Sequence, residues 1–242
     1  MINPKRRKIR IHIFTNNPSF FSSLQRLINQ DIKIITHKIE NLKWPEATLL
    51  RFQIFCEFEK AISENLIIYL DSDMLSISKF SIETLMPGNH NRILFTPHPG
   101  YFLHGKLINK VKLIVGQKRF RKSLFVSLLS ATNRFGAWET NKDSQAYVSR
   151  KKRKIYVHGA LFSGYRNTFF SMCDLLKTRI TLDLSRKYIA KWHDESHLNW
   201  YLSNFGGEIA SSRFSAYEPY ADTMKLNPIF ITVQKSTALT NR

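Results

Sequence analysis

The sequence predicts an α/β fold, because strand patterns alternate with helical patterns along its 242 residues. Ile9 to Thr15 alternates in the manner of a strand, and Asp31 to Ile39 is a second β-rich run. Leu66 to Leu70 is a continuous apolar run, typical of a buried parallel strand. Shorter strands are predicted at Ile93–Phe95, Ile155–Phe162 and Ile229–Val233.

Three helices are predicted between these strands. One opens at Trp44-Pro45-Glu46 and continues to Phe58, since proline in the first turn is a normal helix start. The others run from about Thr168 to Lys177 and from Asp194 to Leu202. The chain is long enough for one sizeable core, so we expect a single α/β domain over residues 1–242.

The net charge of +19 predicts an acidic partner. Nucleic acid, anionic lipid and phosphate-bearing substrates all satisfy that requirement, and the sign of the charge alone does not choose among them. Only two cysteines occur, and both fall in apolar helical patterns, which favours buried thiols over a disulfide or a metal site. No apolar run reaches the length of a membrane span and no secretory signal opens the chain, so we expect a cytoplasmic protein.

The positive charge is concentrated in an interval without acids, between Glu83 and Glu139. Within it, residues 104–134 place apolar side chains at helical spacing with lysines and arginines between them. This pattern predicts one or two basic amphipathic helices, which suit an anionic membrane surface. The alternative is a helix packed on its own domain with a solvated basic face.

Two carboxylates follow directly on the apolar run, in Asp71-Ser72-Asp73. Ligands of open α/β sheets bind at the carboxyl ends of strands. Two carboxylates one residue apart can both reach a divalent cation and the phosphates that it bridges. The alternative for this motif is a simple turn.

The densest cluster of reactive side chains is Trp192 to Asn199, which reads WHDESHLN. It combines two adjacent carboxylates, two imidazoles and an indole in an otherwise acid-poor chain. Such groups are costly to place together unless a metal, a sugar or a developing positive charge uses them. The alternative is a solvated helix start, for which Asp194 and Ser196 suit an N-cap.

In their order along the chain, these motifs resemble glycosyltransferase family 6. This is the retaining family of the histo-blood group A and B transferases and α-1,3-galactosyltransferase, with bacterial and viral relatives. The resemblance runs from about Lys8 to the C-terminus, and WHDESHLN is its most specific part. It is supported by Ile13–Thr15, Trp44–Arg51, Asp71–Asp73, His98–Gly100, Ser144–Tyr147 and Tyr156–Gly164.

The resemblance implies a GT-A-type fold, a Rossmann-like mixed sheet flanked by helices. It also implies transfer of galactose or N-acetylgalactosamine from its UDP sugar to the 3-hydroxyl of a galactoside, in α-1,3 linkage and with retention. The acceptor stays open between galactosides and fucosylated glycans, lipid-linked ones included. Mn²⁺ is the implied cofactor, because this chain keeps the aspartates that many bacterial relatives replace with asparagine.

The resemblance also assigns roles to residues. Glu195 matches the carboxylate beneath the anomeric carbon, and Asp71 and Asp73 match the ligands of Mn²⁺ and the donor diphosphate. The expected acceptor contacts are His98, Trp192 and His193. The expected donor contacts are Arg51, Asp71, Asp73, His158, Gly159, Ala160, Asp194, Lys235 and Arg242. Galactose is the favoured donor sugar, because His158 and Ala160 would narrow the space beside its C2 group.

The chain departs from the family pattern in three places. It begins at what looks like the family's second strand, so we expect a fold truncated by one βα unit. The connection after His98-Pro99-Gly100 is longer by roughly 25 residues, and insertions of that length are usually functional or disordered. The family's acceptor segment is only loosely echoed near Ser212 to Tyr217.

Two alternatives to an active glycosyltransferase remain at this point. One is a non-catalytic remnant that no longer binds UDP, which the missing first unit favours. The other is a basic membrane- or nucleic-acid-binding protein, which the charge alone favours. No aromatic-basic recognition motif supports nucleic acid.

Overall fold

The computed structural model describes residues 8–28, 30–101, 136–217 and 227–233. The chain forms two compact units, which divide between Thr48 and Leu49. The predicted basic insertion at 104–134 lies outside the described residues, as do Lys235 and Arg242.

The first unit is built on a parallel pair of strands. β1 (Ile9–Thr15) and β2 (Ile32–Lys38) pair in register Ile9 to Ile32, close to the predicted bounds. Helix α1 (Pro18–Leu24) lies between them in sequence. Gln25 fixes the connection, because its amide donates to the Ile32 carbonyl at 3.0 Å and accepts from the Ile34 N–H at 2.7 Å.

The predicted helix from Trp44 to Phe58 is broken into two. The structure has α2 (Glu46–Leu49) and α3 (Arg51–Glu57), with Leu50 between them. The break places Arg51, which is buried, at the first position of α3. An arginine in the sequence does not by itself predict a buried position, because its charge favours solvent.

The second unit contains the remaining elements. In chain order they are β3 (Leu66–Leu70), β4 (Met74–Ser76), β5 (Ile93–Pro97), β6 (Val157–Tyr165), α4 (Arg166–Ser185), α5 (His193–Phe205), β7 (Glu208–Ile209), β8 (Ala216–Tyr217) and β9 (Phe230–Thr232). The predicted helices at 168–177 and 194–202 are confirmed and prove longer than their patterns.

The central sheet has the strand order β3-β6-β5-β7. β6 is antiparallel to both β3 and β5, whereas β7 is parallel to β5. Helices α4 and α5 pack against β6, and α3 packs against α4. The predicted mixed α/β sheet flanked by helices is therefore confirmed.

The predicted environment of Leu66 to Leu70 was wrong in two respects. β3 is antiparallel to its neighbour and only half-buried, and Leu70 is 40% exposed. Within the described residues β3 is an edge strand that pairs only with β6. An apolar run of five residues indicates a strand but does not fix the direction of its partner.

A second, three-stranded sheet of order β4-β9-β8 adjoins this core. Phe230 of this sheet packs in an apolar cluster with Phe214, which precedes β8, and with Leu161 of β6. None of the helices in the described parts of the chain is long and apolar enough to cross a membrane.

Candidate active site

The sheet brings the ends of three strands together at one edge. Because β6 runs antiparallel to β3 and β5, its amino end meets their carboxyl ends, as the hydrogen bond of 2.9 Å from the Asp71 N–H to the Ala160 carbonyl shows. A pocket of about 330 Å³ opens at this edge, beside the first turn of α5. It is lined by Arg51, Asp71, His98, Tyr101, His158, Gly159, Ala160, Trp192, His193, Asp194 and Glu195.

Most of the residues singled out in the sequence line this pocket, although they come from five separate stretches of the chain. Asp73 is not among the lining residues; its backbone carbonyl accepts a hydrogen bond of 2.8 Å from the Val233 N–H. Lys235 and Arg242 are outside the described residues. Tyr101 was missed by the sequence prediction, although it closes the His98-Pro99-Gly100 turn by donating its N–H to the His98 carbonyl.

An ion pair between Arg51 and Asp194 forms the floor of the site. Arg51 Nε lies 3.2 Å from Asp194 Oδ2, and both side chains are less than a tenth exposed. Burial lowers the pKa of Arg51, but Asp194, Tyr69 and Asp71 together raise it above its ordinary value. Burial raises the pKa of Asp194 to about 6, despite the opposing effect of Arg51.

The backbone of Gly159 joins this ion pair to the second carboxylate. Its N–H donates to Glu195 Oε2 at 2.9 Å, and its carbonyl accepts from Arg51 Nη1 at 3.0 Å. A Cβ on Gly159 would meet Asp194 Oδ2 at 3.4 Å and Glu195 Oε2 at 3.6 Å. Glycine therefore leaves the peptide free of a side chain where the two carboxylates approach it most closely.

Helix α5 begins one residue earlier than predicted, at His193. The expected N-cap at Asp194 or Ser196 was wrong: the N-cap position is Trp192, and Ser196 Oγ accepts from the Trp192 N–H at 2.9 Å. Asp194 and Glu195 lie in the first turn, where the helix dipole favours negative charge. His193 has a positive φ of 46°, a conformation uncommon outside glycine and often found at functional sites.

Two imidazoles face the same cavity. The His98 and His158 ring centroids are 5.1 Å apart and the rings are nearly perpendicular. Burial lowers the pKa of His98 to about 3 and that of His158 to about 4, so both rings are neutral at physiological pH. Ser215 Oγ lies 3.0 Å from His158 Nδ1, a contact for which the sequence gives no spacing signal.

Asp71 is the carboxylate in this pocket best suited to a hard divalent cation. Its Oδ1 accepts a hydrogen bond from the Tyr69 hydroxyl and lies 3.5 Å from Arg51 Nη1. The side chain is 30% exposed and lines the pocket, so it is accessible to a ligand. Carboxylate oxygen is a ligand that Mn²⁺ accepts readily, and the donor chemistry at Asp71 therefore fits that ion.

The protonation of Glu195 makes the site sensitive to pH. Burial raises the pKa of this carboxyl to about 7, against the opposing hydrogen bond from Gly159. A carboxyl whose pKa is raised by folding is ionised only as pH rises through that value. If a reaction in this pocket requires ionised Glu195, its kcat/KM should rise about tenfold per pH unit below about pH 7 and level off above it. A rate profile that is flat from about pH 5.5 to 8 would contradict this prediction.

Comparison with known proteins finds similarity to one family. The model of glycosyltransferase family 6 matches residues 122–236, a little under half of the chain. The O-antigen biosynthesis glycosyltransferase WbnI of Escherichia coli is 23% identical over 212 residues, which cover 87% of this chain and 75% of that protein.

Two animal proteins are similar at the same level. Histo-blood group ABO system transferase 1 of Rattus norvegicus is 23% identical over 198 residues, covering 81% of this chain and 47% of its own length. Globoside alpha-1,3-N-acetylgalactosaminyltransferase 1 of Gallus gallus is 23% identical over 195 residues, which cover 79% of this chain and 47% of that protein. The chain thus spans about half the length of these animal relatives.

Proposed function

We propose that this chain is a retaining α-1,3-glycosyltransferase of family 6 that uses a UDP sugar. The observation that supports this most directly is the convergence of Glu195, Asp194 and Arg51 with Asp71 in one pocket. A glycosyl transfer needs a carboxylate near the sugar and cationic groups near the leaving diphosphate. The pocket offers both.

In this proposal the donor lies across the pocket, with its diphosphate towards Asp71. Mn²⁺ held by Asp71 would neutralise the charge that develops on the departing UDP. Arg51 adds a fixed positive charge, although Asp194 and Asp71 already compensate part of it. Asp194 and the Gly159 peptide border the sugar on the side of β6.

Glu195 acts at the anomeric carbon. In a double displacement its carboxylate forms a bond to that carbon while the bond to the diphosphate oxygen breaks, and UDP leaves with the electron pair. The acceptor 3-hydroxyl then forms a bond to that carbon, Glu195 leaves with the electron pair as carboxylate, and the hydroxyl proton passes to a phosphate oxygen of UDP. In a front-face reaction Glu195 only stabilises the oxocarbenium ion. Both routes retain configuration, and both need the ionised carboxylate.

The donor sugar in this proposal is galactose in preference to N-acetylgalactosamine. His158 and Ala160 flank Gly159 in the pocket, and the Ser215 contact holds the His158 ring. An N-acetyl group on C2 needs more space than a hydroxyl. A galactoside is the proposed acceptor, and exposed Trp192 at the pocket offers an apolar surface for a sugar ring. The anionic membrane surface stays a prediction, because it rests on residues 104–134.

One set of binding and transfer measurements tests this function. UDP should bind the chain, and Mn²⁺ should strengthen that binding about tenfold, equivalent to about 1.4 kcal/mol. The Asp71→Asn variant should lose most of this enhancement. With both donors in competition, the product should carry mainly galactose.

Each failure has a distinct meaning. Absence of UDP binding with and without Mn²⁺ would contradict the transferase and favour the non-catalytic remnant. Equal UDP affinity with and without Mn²⁺ would contradict the metal requirement alone. Preferential transfer of N-acetylgalactosamine would contradict the proposed role of His158 and Ala160.

A further inference from the structure

Three side chains of the pocket also converge on one another. The proposed transfer reaction assigns no role to this convergence. His98, His158 and Glu195 each place one ligand atom within 4.8 Å of the other two. They come from the end of β5, from β6 and from the first turn of α5. Asp71, the residue suited to Mn²⁺, is not part of this group.

We propose that His98, His158 and Glu195 form a second metal site, selective for a transition metal such as Zn²⁺, whose occupancy inhibits the enzyme. Two imidazoles and one glutamate are a ligand set that zinc uses when its fourth position stays open. Imidazole suits zinc better than it suits Mn²⁺ or Mg²⁺, which favour oxygen ligands. The inhibition, but not the binding, rests on the function proposed above.

The environment of His158 favours ligation. The ring is buried, which keeps it in the neutral form that binds metals. Ser215 Oγ lies 3.0 Å from Nδ1 and leaves Nε2 as the nitrogen for a metal. An imidazole ligand held by such a hydrogen bond on its other nitrogen is the usual arrangement around protein-bound zinc.

His98 needs one adjustment. The Gly100 N–H donates to His98 Nδ1 at 3.0 Å, so the neutral ring carries its proton on Nε2. A metal bound through Nδ1 would replace the hydrogen bond from Gly100, and one bound through Nε2 would in addition move the proton to Nδ1. Loss of one exposed hydrogen bond of this kind weakens affinity about fivefold, a small factor beside the gain from a third ligand.

The electrostatic balance of the pocket favours a cation. Arg51 repels one, but it is already paired with Asp194 at 3.2 Å and lies 3.5 Å from Asp71. Glu195 therefore remains as the carboxylate that a metal can neutralise. The ligand atoms, which now lie within 4.8 Å of one another, would have to approach to about 3.4 Å for tetrahedral zinc. Binding Glu195 would remove it from the anomeric carbon, which explains why occupancy inhibits.

Titration of the metal-free full chain with Zn²⁺ alone, followed by calorimetry, tests the site. We expect saturable binding that His98→Gln and His158→Gln each weaken at least ~100-fold, and that Ser215→Ala weakens ~10-fold. One variant serves as the control. His90→Gln should bind Zn²⁺ as the parent does, because this ring stacks on Tyr165 instead of lining the pocket. Added Zn²⁺ should also inhibit transfer in competition with the donor.

Several outcomes would overturn the proposal. They are the absence of saturable Zn²⁺ binding, equal affinity in the parent and both histidine variants, or loss of binding in His90→Gln. Thermal unfolding shows whether each variant is folded. The His98→Gln variant, at a partly exposed turn, tests the site even if His158→Gln does not fold. Because binding is measured without donor or acceptor, a chain that transfers no sugar would still give a clear result.

Discussion

Replacing Glu195 with glutamine should lower kcat at least ~100-fold, or about 2.7 kcal/mol of transition-state stabilisation, while UDP still binds. The amide has nearly the shape of the carboxylate and can still accept from the Gly159 N–H at the position Oε2 now occupies. It has neither the negative charge nor the nucleophilicity that the anomeric carbon requires. Initial-rate kinetics at saturating donor, together with UDP calorimetry, measure the two quantities separately.

Glu208 provides a matched control for this substitution. It lies on β7 away from the pocket lining, and its carboxylate accepts from the Gly88 and Asn89 N–H groups at 2.8 Å each. Glu208→Gln makes the same chemical change, and we expect it to leave turnover unchanged. Near-normal turnover by Glu195→Gln would refute the role of that carboxylate in catalysis. A parallel loss of UDP binding would instead assign it to the binding of the donor.

Replacing Arg51 with methionine should lower the free energy of unfolding by about 3–5 kcal/mol, the range for an uncompensated buried charge. The substitution leaves Asp194, which is 4% exposed, without its cation, and the Gly159 carbonyl without its donor. The loss should be greater at about pH 8 than at about pH 5, because protonation of Asp194 removes the unpaired charge. Urea denaturation at the two pH values gives the numbers.

Two further variants isolate the ion pair. In the Arg51→Met/Asp194→Asn double variant no buried charge is left unpaired, so the loss should be clearly smaller than for Arg51→Met alone. Lys177→Met removes an exposed ion pair, of 2.8 Å to Asp174, and should cost no more than about 1 kcal/mol. If Arg51→Met costs as little as Lys177→Met, the buried pair does not stabilise the fold.

The sequence predicted those elements in which apolar residues recur with the period of a strand or a helix. β1 was placed at its observed bounds, and α5 within one residue at its start and three at its end, because alternation and helical spacing are local properties. The strands β7 and β8 were missed, since each has two residues and owes its existence to a neighbouring strand. The direction of β3 was wrong for the same reason: pairing is decided by residues far away in the chain.

In the candidate site too, local motifs were predictable and contacts between distant residues were not. The motifs identified which residues gather, and the fold explains how, because β6 returns antiparallel and brings His158 to the edge that already holds Asp71 and His98. Ser215 lies in the segment that loosely echoes the family's acceptor motif. Its 3.0 Å contact with His158 could not have been predicted, because it joins residues far apart in the chain. Arg51 was predicted by resemblance, but its burial follows from Asp194.

The backbone of Gly159 has a consequence for anyone who wishes to redesign the sugar preference. The residue that lies between His158 and Ala160 also accepts from Arg51 through its carbonyl and donates to Glu195 through its N–H. In the proposed reaction, selectivity and turnover thus both depend on the two peptide groups that meet at Gly159. A library randomised at positions 158–160 should therefore yield few clones that switch sugars at full speed. Second-round changes near Arg51 or Glu195 would be the place to recover the lost rate.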